Sequence, residues 1–250
     1  MEEQDYATTY RLEDRNWWFA GMRDLCLDQV RRAGRAGPDR RILDVGCGTG
    51  RNLEALEPLA PATGLDLSGT ALAFCRSRGC PRLLQGRGEV LPLPDASVDV
   101  VTAIGVVEHI EADADAVREW RRVLAPDGQL VLLTSAYRFL WSGHDVSNHH
   151  VRRYRAGEVR ALLEDAGLVD VRVTYANTAL FPGIALVRLL QRFRRRGAEP
   201  PPHKDTGEVP GWLNRALTVL LSWETALVRR WDLPFGVSIL AEGRSPSAPA

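Results

Sequence analysis

The chain has 250 residues, of which 45% are hydrophobic, so it can bury a sizeable core without disulfide staples. Its 32 basic and 32 acidic residues cancel, which argues against a protein that binds nucleic acid through bulk charge. The spacing of Cys26, Cys47, Cys75 and Cys80 matches neither a zinc ribbon nor a disulfide framework, which predicts a reducing compartment. The chain begins with acidic residues and has no apolar run of the roughly 20 residues that a membrane span needs, so we expect a cytoplasmic protein.

The stretch from residue 41 to about 135 alternates short valine-, isoleucine- and leucine-rich runs with amphipathic segments, which is typical of βαβ units around a buried parallel sheet. Strands are predicted at Arg41–Gly46, Ala62–Leu67, Arg82–Gln85, Val98–Ile104 and Gln129–Ser135. Helices are predicted at Arg51–Glu57, Gly69–Arg78 and Asp113–Leu124, the last ended by the turn 125–128 with its proline and glycine. The fold class is therefore α/β, with a Rossmann-like doubly wound sheet.

After residue 135 the chain continues with an aromatic and histidine-rich segment, 136–154, whose lack of periodicity indicates a functional loop. A helix at Ala156–Ala166 and a strand at Val169–Tyr175 are predicted next. They are followed by two apolar helical stretches, Thr178–Arg196 and Val209–Trp231, and by a final strand at Gly236–Ala241. The serine-, proline- and alanine-rich tail, 244–250, is predicted to be disordered.

A glycine-rich turn directly after the first predicted strand indicates a nucleoside cofactor. Gly46, Gly48 and Gly50 let the backbone turn tightly and approach a ligand, and Asp66 at the end of the next strand can accept hydrogen bonds from ribose hydroxyls. The spacing is GxGxG rather than GxGxxG, and the carboxylate of Asp44 would repel a pyrophosphate. The same carboxylate suits the ammonium and sulfonium of S-adenosylmethionine.

Five motifs give the segment 41–135 a specific resemblance. They are LDVGCGTG (43–50), GLDLS (64–68), EVLPLPDASVDVV (89–101), VVEHI (106–110) and RVLAPDGQLVL (122–132). In order and spacing they resemble the class I S-adenosylmethionine-dependent methyltransferases. The resemblance implies a seven-stranded sheet with an antiparallel last strand, and S-adenosylmethionine as cofactor.

The cofactor residues that this resemblance implies fall on matching positions. The carboxylate of Asp44 and the backbone of the three glycines would line the methionine part, Asp66 the ribose, and Leu67 the adenine. Gly88 and Ile104 complete the predicted cofactor set. The family tends to have an aspartate where this chain has Arg87, which cannot accept a hydrogen bond from the adenine amino group.

Acceptor-side candidates follow the fourth and fifth predicted strands. Methyl transfer is an in-line displacement that depends mainly on alignment, and a base is needed only if the acceptor must lose a proton. The candidate catalytic residues are Glu108, His109, His150 and Tyr154. The neighbouring histidines match no common metal-ligand spacing, so no metal is predicted.

Three further segments resemble a narrower bacterial methyltransferase group: WWF (17–19), HHVRRY (149–154) and LPFGVSIL (233–240). The HxRRY stretch that this group shares does not indicate a substrate.

The predicted organisation is a helical flap (1–40), a core (41–176), a helical insertion between strands 6 and 7 (177–233) that caps the acceptor, and a final strand (234–243). The insertion places arginines after each apolar run, so a lid, a homodimer interface and contact with the inner membrane face all stay open. The predicted function is methyl transfer to a small-molecule or lipid-linked acceptor, without a nucleic-acid partner. The alternatives are a non-catalytic binding protein that keeps the cofactor fold and an NAD(P)-dependent oxidoreductase.

Overall fold

The computed structural model describes residues 3–34, 36–194, 200–202, 207 and 209–248. Its strands are β1 (Ile42–Val45), β2 (Ala62–Asp66), β3 (Leu83–Gln85), β4 (Val98–Ile104), β5 (Leu124–Ser135), β6 (Val169–Ala176) and β7 (Ser238–Arg244). Its helices are α1 (Glu3–Leu12), α2 (Trp17–Arg32), α3 (Arg51–Leu56), α4 (Gly69–Ser77), α5 (Asp113–Val123), α6 (Gly143–Ser147), α7 (Ala156–Asp165), α8 (Phe181–Arg194) and α9 (Gly211–Val228).

The seven strands form one sheet in the order β3-β2-β1-β4-β5-β7-β6. Strand β7 runs antiparallel to both β5 and β6, whereas the pairs among β1 to β5 are parallel. The predicted fold class is confirmed, including the last strand beside the fifth. Because β1 and β2 both end at the same edge, the glycine turn and the carboxylate of Asp66 meet there, as in other open α/β sheets.

Both faces of the sheet are buried, which is why its strands are nearly continuous apolar runs rather than alternating ones. Successive residues serve opposite faces: Leu43 and Val101 join the core beneath α5 and α7, whereas Ile42 and Val100 join the core beneath α2, α3, α4 and α9. Trp120 fills the centre of the first core without exposure. The glycine turn therefore follows a strand, β1, whose four residues are all buried.

The boundaries of the last strands differ from the predicted ones. β5 begins at Leu124, so the predicted turn 125–128 belongs to a strand whose pairing with β4 is irregular there. β7 extends to Arg244, and the Ser245 amide donates to the Gly128 carbonyl at 2.8 Å. Residues 244 and 245 thus pair with the start of β5, and residues 249–250 of the predicted tail lie outside the described residues.

The second helix of the insertion packs on α2 of the flap. Leu221 of α9 lies against Gly21 of α2, and Arg229 donates to Asp28 at 2.6 Å. Before α8, the buried carboxylate of Glu224 accepts hydrogen bonds from three successive amides, those of residues 177–179, so α8 begins at Phe181 rather than at Thr178. No described residue of 177–233 lines the main cavity, and the acceptor-side cap stays a prediction. Residues 195 and 196 of the predicted helix lie outside the described ranges.

Candidate active site

A cavity of about 500 Å³ lies at the carboxyl ends of the parallel strands. Its floor comes from the residues that follow β1, β2, β3 and β4, and its walls come from α1, α2 and the segment around α6. Residues of the 1–40 segment that line it are Tyr6, Thr8, Thr9, Leu12, Glu13, Trp18, Phe19 and Arg23. A ligand at the glycine turn would therefore be covered by the first two helices.

The glycine turn needs glycine for two separate reasons. Gly46 has φ +65° and lies so close to Val106 that a Cβ would come within 2.5 Å of its Cγ2 atom. Gly48 has φ +54° and faces open space, so its backbone is accessible to a ligand in the cavity. Its amide donates to Asp66 at 2.9 Å. Gly50, the third glycine, begins α3 with φ +91° and does not line the cavity.

Asp66 both fixes the glycine turn and faces the cavity. One carboxylate oxygen accepts from the Gly48 amide and the other from the Ser68 amide at 2.8 Å. Each oxygen keeps lone pairs that can accept from hydroxyl groups. Tyr6 of α1 hydrogen-bonds Ser68, and burial raises the pKa of the Tyr6 phenol. The Tyr6 hydroxyl of the flap thus lies near Asp66, the predicted ribose residue.

Asp44 lies behind the turn rather than in the cavity wall. It is 2% exposed, and only one of its oxygens has a partner, the Thr102 hydroxyl at 2.7 Å. Burial, with the negative charges of Asp66 and Glu13, raises the pKa of Asp44 to about 7. Three carboxylates therefore surround the turn, and this arrangement favours a positively charged ligand group.

The remaining predicted cofactor residues line the other end of the cavity. Leu67, although apolar, is 65% exposed there, which leaves its side chain available to a ring. Ile104 and Gly88 also line the cavity, and the Gly88 carbonyl accepts from the Trp120 indole at 2.9 Å. Arg87 points into solvent and pairs with Glu89, so it offers this end no acceptor.

On the acceptor side, His150 is held by a buried aspartate. The His150 Nδ1 atom lies 2.9 Å from Asp145, which is fully buried and also accepts from Arg153 at 2.6 Å and from the Ser142 amide at 2.8 Å. Although burial opposes its ionisation, hydrogen bonding to His150 and the charge of Arg153 hold the pKa of Asp145 well below its usual range. Asp145 therefore stays ionised, and it fixes the orientation of the imidazole.

His109 and Glu108 share the cavity wall with His150 but differ in environment. The rings of His109 and His150 meet edge to face with centroids 4.6 Å apart. Desolvation within the cavity wall, together with the neighbouring His150, lowers the pKa of His109, so its imidazole is neutral at pH 7. Glu108 is buried, and its oxygens accept from the hydroxyls of Thr134 and Ser135 at 2.8 and 3.2 Å. Its carboxylate is thus engaged with the end of β5.

Tyr154 is not part of the cavity wall. Its hydroxyl donates to Asp113 at 2.8 Å, and Arg152 donates to the same carboxylate at 2.6 Å. In an extended backbone, the side chains of residues i and i+2 point to the same side of the chain. Arg152 and Tyr154 therefore both bind Asp113, whereas Arg153 points the other way and binds Asp145. The HxRRY stretch therefore fastens the segment of α6 to the core, and of its residues only His150 lines the cavity.

The contacts that attach α1 to α4 could not be predicted from the sequence. Arg78, at the end of α4, donates to Asp14 at 3.1 Å, to Glu13 at 2.9 Å and to the Tyr10 carbonyl at 3.0 Å. Glu13 also accepts from the hydroxyl of Thr49 in the glycine turn. These partners lie about 30 to 70 positions apart, where no periodic pattern could link them.

Comparison with known proteins shows a similarity to methyltransferases. Residues 43–132 match the family model described as a methyltransferase domain. Over 149 residues the chain is 40% identical to a probable S-adenosylmethionine-dependent methyltransferase of Mycobacterium tuberculosis, covering 58% of this chain and 53% of that protein. Residues 43–132 are thus similar to a methyltransferase domain, and the relative that shares them is named as dependent on S-adenosylmethionine. The chain spans about half the length of its mycobacterial relative.

Two further similarities correct the expected set of partners. The methyltransferase domain is 35% identical over 98 residues to mouse probable tRNA methyltransferase 9B, covering 38% of this chain and 22% of that protein. A chain from the complex between the Haloferax volcanii Trm112 methyltransferase activator and a methyltransferase has a TM-score of 0.60 at 20% identity, covering 98% of this chain and 96% of the other. Similar proteins thus include a probable tRNA methyltransferase and a methyltransferase in complex with an activator protein. The prediction of no nucleic-acid partner, which was based on net charge, is therefore wrong.

S-adenosylmethionine fits the residues of the methyltransferase domain. The acidic end of the cavity, with the unpartnered oxygen of Asp44 behind it, suits the ammonium and sulfonium groups. The opposite end, with Leu67, suits a nucleobase. None of the helices in the described part of the chain combines the length and hydropathy needed to cross a bilayer.

Proposed function

We propose that the chain transfers a methyl group from S-adenosylmethionine to a small or lipophilic acceptor by in-line displacement. One observation carries the proposal: a single cavity is lined by the glycine turn, by Asp66 and by the imidazoles of His109 and His150. The cofactor, when bound, supplies an electrophilic methyl group on a sulfonium. What this chain's residues contribute is alignment, exclusion of water and, for an acceptor that must lose a proton, a base.

His150 is the proposed base because its geometry is fixed. With Nδ1–H donated to Asp145, Nε2 is left as a proton acceptor, which is the arrangement found in other Asp–His pairs. Arg153 balances the charge of Asp145, so the carboxylate mainly orients the ring. His109, neutral at pH 7, is proposed to contact the acceptor from the adjoining wall.

The small size of the acceptor group is supported by the enclosure of the site. The cavity of about 500 Å³ must hold the cofactor as well as the reacting group, and α1 and α2 close one side of it. Trp18 and Phe19 add aromatic surface to this wall, which suits an apolar acceptor. These observations favour an acceptor whose reacting group is small or apolar.

Methyl transfer can be measured from labelled S-adenosylmethionine to a small-molecule extract, a lipid extract and total RNA. We expect label in the small-molecule or lipid fraction. The His150→Gln variant should transfer about 100-fold more slowly at unchanged S-adenosylhomocysteine affinity, whereas His149→Gln, whose side chain does not line the cavity, should match the wild type. Label in RNA alone would reject the proposed acceptor, and equal rates in both variants would remove His150 from the reaction.

A further inference from the structure

A buried arginine of α2 lines the cavity without a carboxylate partner. Arg23 is 7% exposed, and its Nη1 atom donates to the main-chain oxygen of Glu13 at 3.1 Å. Among the residues that the structure describes, no side-chain carboxylate forms an ion pair with it. Guanidinium groups have five N–H donors, so most of the hydrogen-bonding capacity of Arg23 remains for a ligand.

The environment of Arg23 favours an anion. Burial lowers the pKa of its guanidinium and the positive charge of Arg51 lowers it further, and these two effects outweigh the opposite influence of the carboxylates of Asp24, Glu13 and Asp14. A buried charge is costly unless it is paired, and a second cation nearby adds to that cost. A negatively charged ligand group at this point would offset both effects.

The position of Arg23 is at the glycine-turn end of the cavity. It bonds the main chain of Glu13, whose side chain accepts from the hydroxyl of Thr49 in the turn. Leu67 and Gly88 lie in the wall of the nucleobase end. An anion beside Arg23 is therefore expected from the part of the cofactor that lies over the glycine turn.

We propose that Arg23 binds the carboxylate of the amino-acid end of S-adenosylmethionine and of S-adenosylhomocysteine. The inference rests on the proposed function and adds a residue that ties the cofactor to the flap. The two charges of the amino-acid end then have separate counterparts, the acidic surroundings of Asp44 for the ammonium and the planar fork of Arg23 for the carboxylate.

The test compares two ligands by titration calorimetry. S-adenosylhomocysteine has the carboxylate, whereas 5′-methylthioadenosine has the same nucleoside and thioether without the amino-acid end. Arg23→Gln should weaken binding of the first about 10- to 100-fold and leave binding of the second unchanged. Arg23→Lys should lie between, and Arg11→Gln, which removes an exposed arginine of α1, should change neither.

The outcomes separate this inference from the cofactor assignment. Unchanged S-adenosylhomocysteine affinity in Arg23→Gln, or equal loss for both ligands, would overturn the role of Arg23. If that variant does not fold, the carboxamide of S-adenosylhomocysteine tests the wild type, and binding as tight as that of the acid would overturn it equally. A wild-type chain that binds neither nucleoside would reject the proposed function itself.

Discussion

Asp44 is unfavourable for the stability of the protein without ligand, but it favours the binding of a positively charged ligand group. Its buried carboxylate has one hydrogen-bond partner and lies near two other acids, which raises its pKa to about 7. Such a site is unfavourable for the ionised form until a cation approaches. An aspartate at this position in β1 is thus better explained by ligand binding than by stability.

The raised pKa of Asp44 can be tested through the pH dependence of stability. Because its pKa is about 7 in the fold and about 3.9 when unfolded, the native state holds the proton more tightly, so this residue's contribution to stability falls as pH rises from about 4 through about 7. In urea unfolding, Asp44→Asn should lack that decline and be more stable than the wild type at pH 8. Asp24→Asn, an exposed acid of α2, should track the wild type at every pH. A constant difference between Asp44→Asn and wild type would contradict the raised pKa.

At the scale of elements, one arginine links α1, the first helix of the flap, to α4 and the glycine turn. Arg78 has 7% of its side chain exposed, lies over the Tyr10 ring at 4.2 Å, and bonds Glu13, Asp14 and the Thr49 carbonyl. It thereby joins α4, α1 and the glycine turn. The mobility of α1 should therefore depend on this side chain.

Replacing Arg78 with alanine should loosen α1 and weaken cofactor binding. The change leaves the buried carboxylate of Glu13 without its cation, a loss on the order of 3 kcal/mol in unfolding free energy. Trypsin should cleave after Arg11 or Arg15 faster than in the wild type, and S-adenosylhomocysteine affinity should fall. Arg76→Ala removes an exposed arginine of the same helix and should do neither. Equal cleavage rates in the two variants would show that α1 is held by other contacts.

At the scale of the whole molecule, the insertion is joined to the chain's beginning. α9 packs along α2 through Leu221 and Gly21, and the Asp28–Arg229 pair closes the far end. In contrast, α8 has no buried residue and exposes five large apolar side chains: Leu186, Val187, Leu189, Leu190 and Phe193. The two helices of the insertion therefore differ: α9 is part of the core, and α8 is not.

The close approach of α2 and α9 can be tested with an added methyl group. A Cβ at Gly21 would lie 2.3 Å from Leu221 Cδ1, so Gly21→Ala should lower the free energy of unfolding by about 1–3 kcal/mol. Gly183→Ala in α8, where nothing lies within 4 Å, should be neutral or slightly stabilising. Combining Gly21→Ala with Leu221→Ala should cost less than the sum of the two single changes. Strict additivity in chemical denaturation would contradict the contact.

The sequence by itself determined the elements and motifs of the segment 41–135. Apolar runs of strand length, amphipathic runs of helix length and glycines at a strand end act over a few residues, so β1, β4, α5 and the turn at Gly46 follow from local rules. The family's motifs added the antiparallel last strand.

The tertiary structure alone decided which distant side chains meet. Contacts such as Arg78 with Glu13 and Arg229 with Asp28 depend on how whole elements pack, and no local period encodes them. For the same reason the packing of α9 against α2 could not be predicted from the sequence. Arg23, unremarkable within a helix of mixed composition, acquires its significance only from the cavity that the fold places beside it.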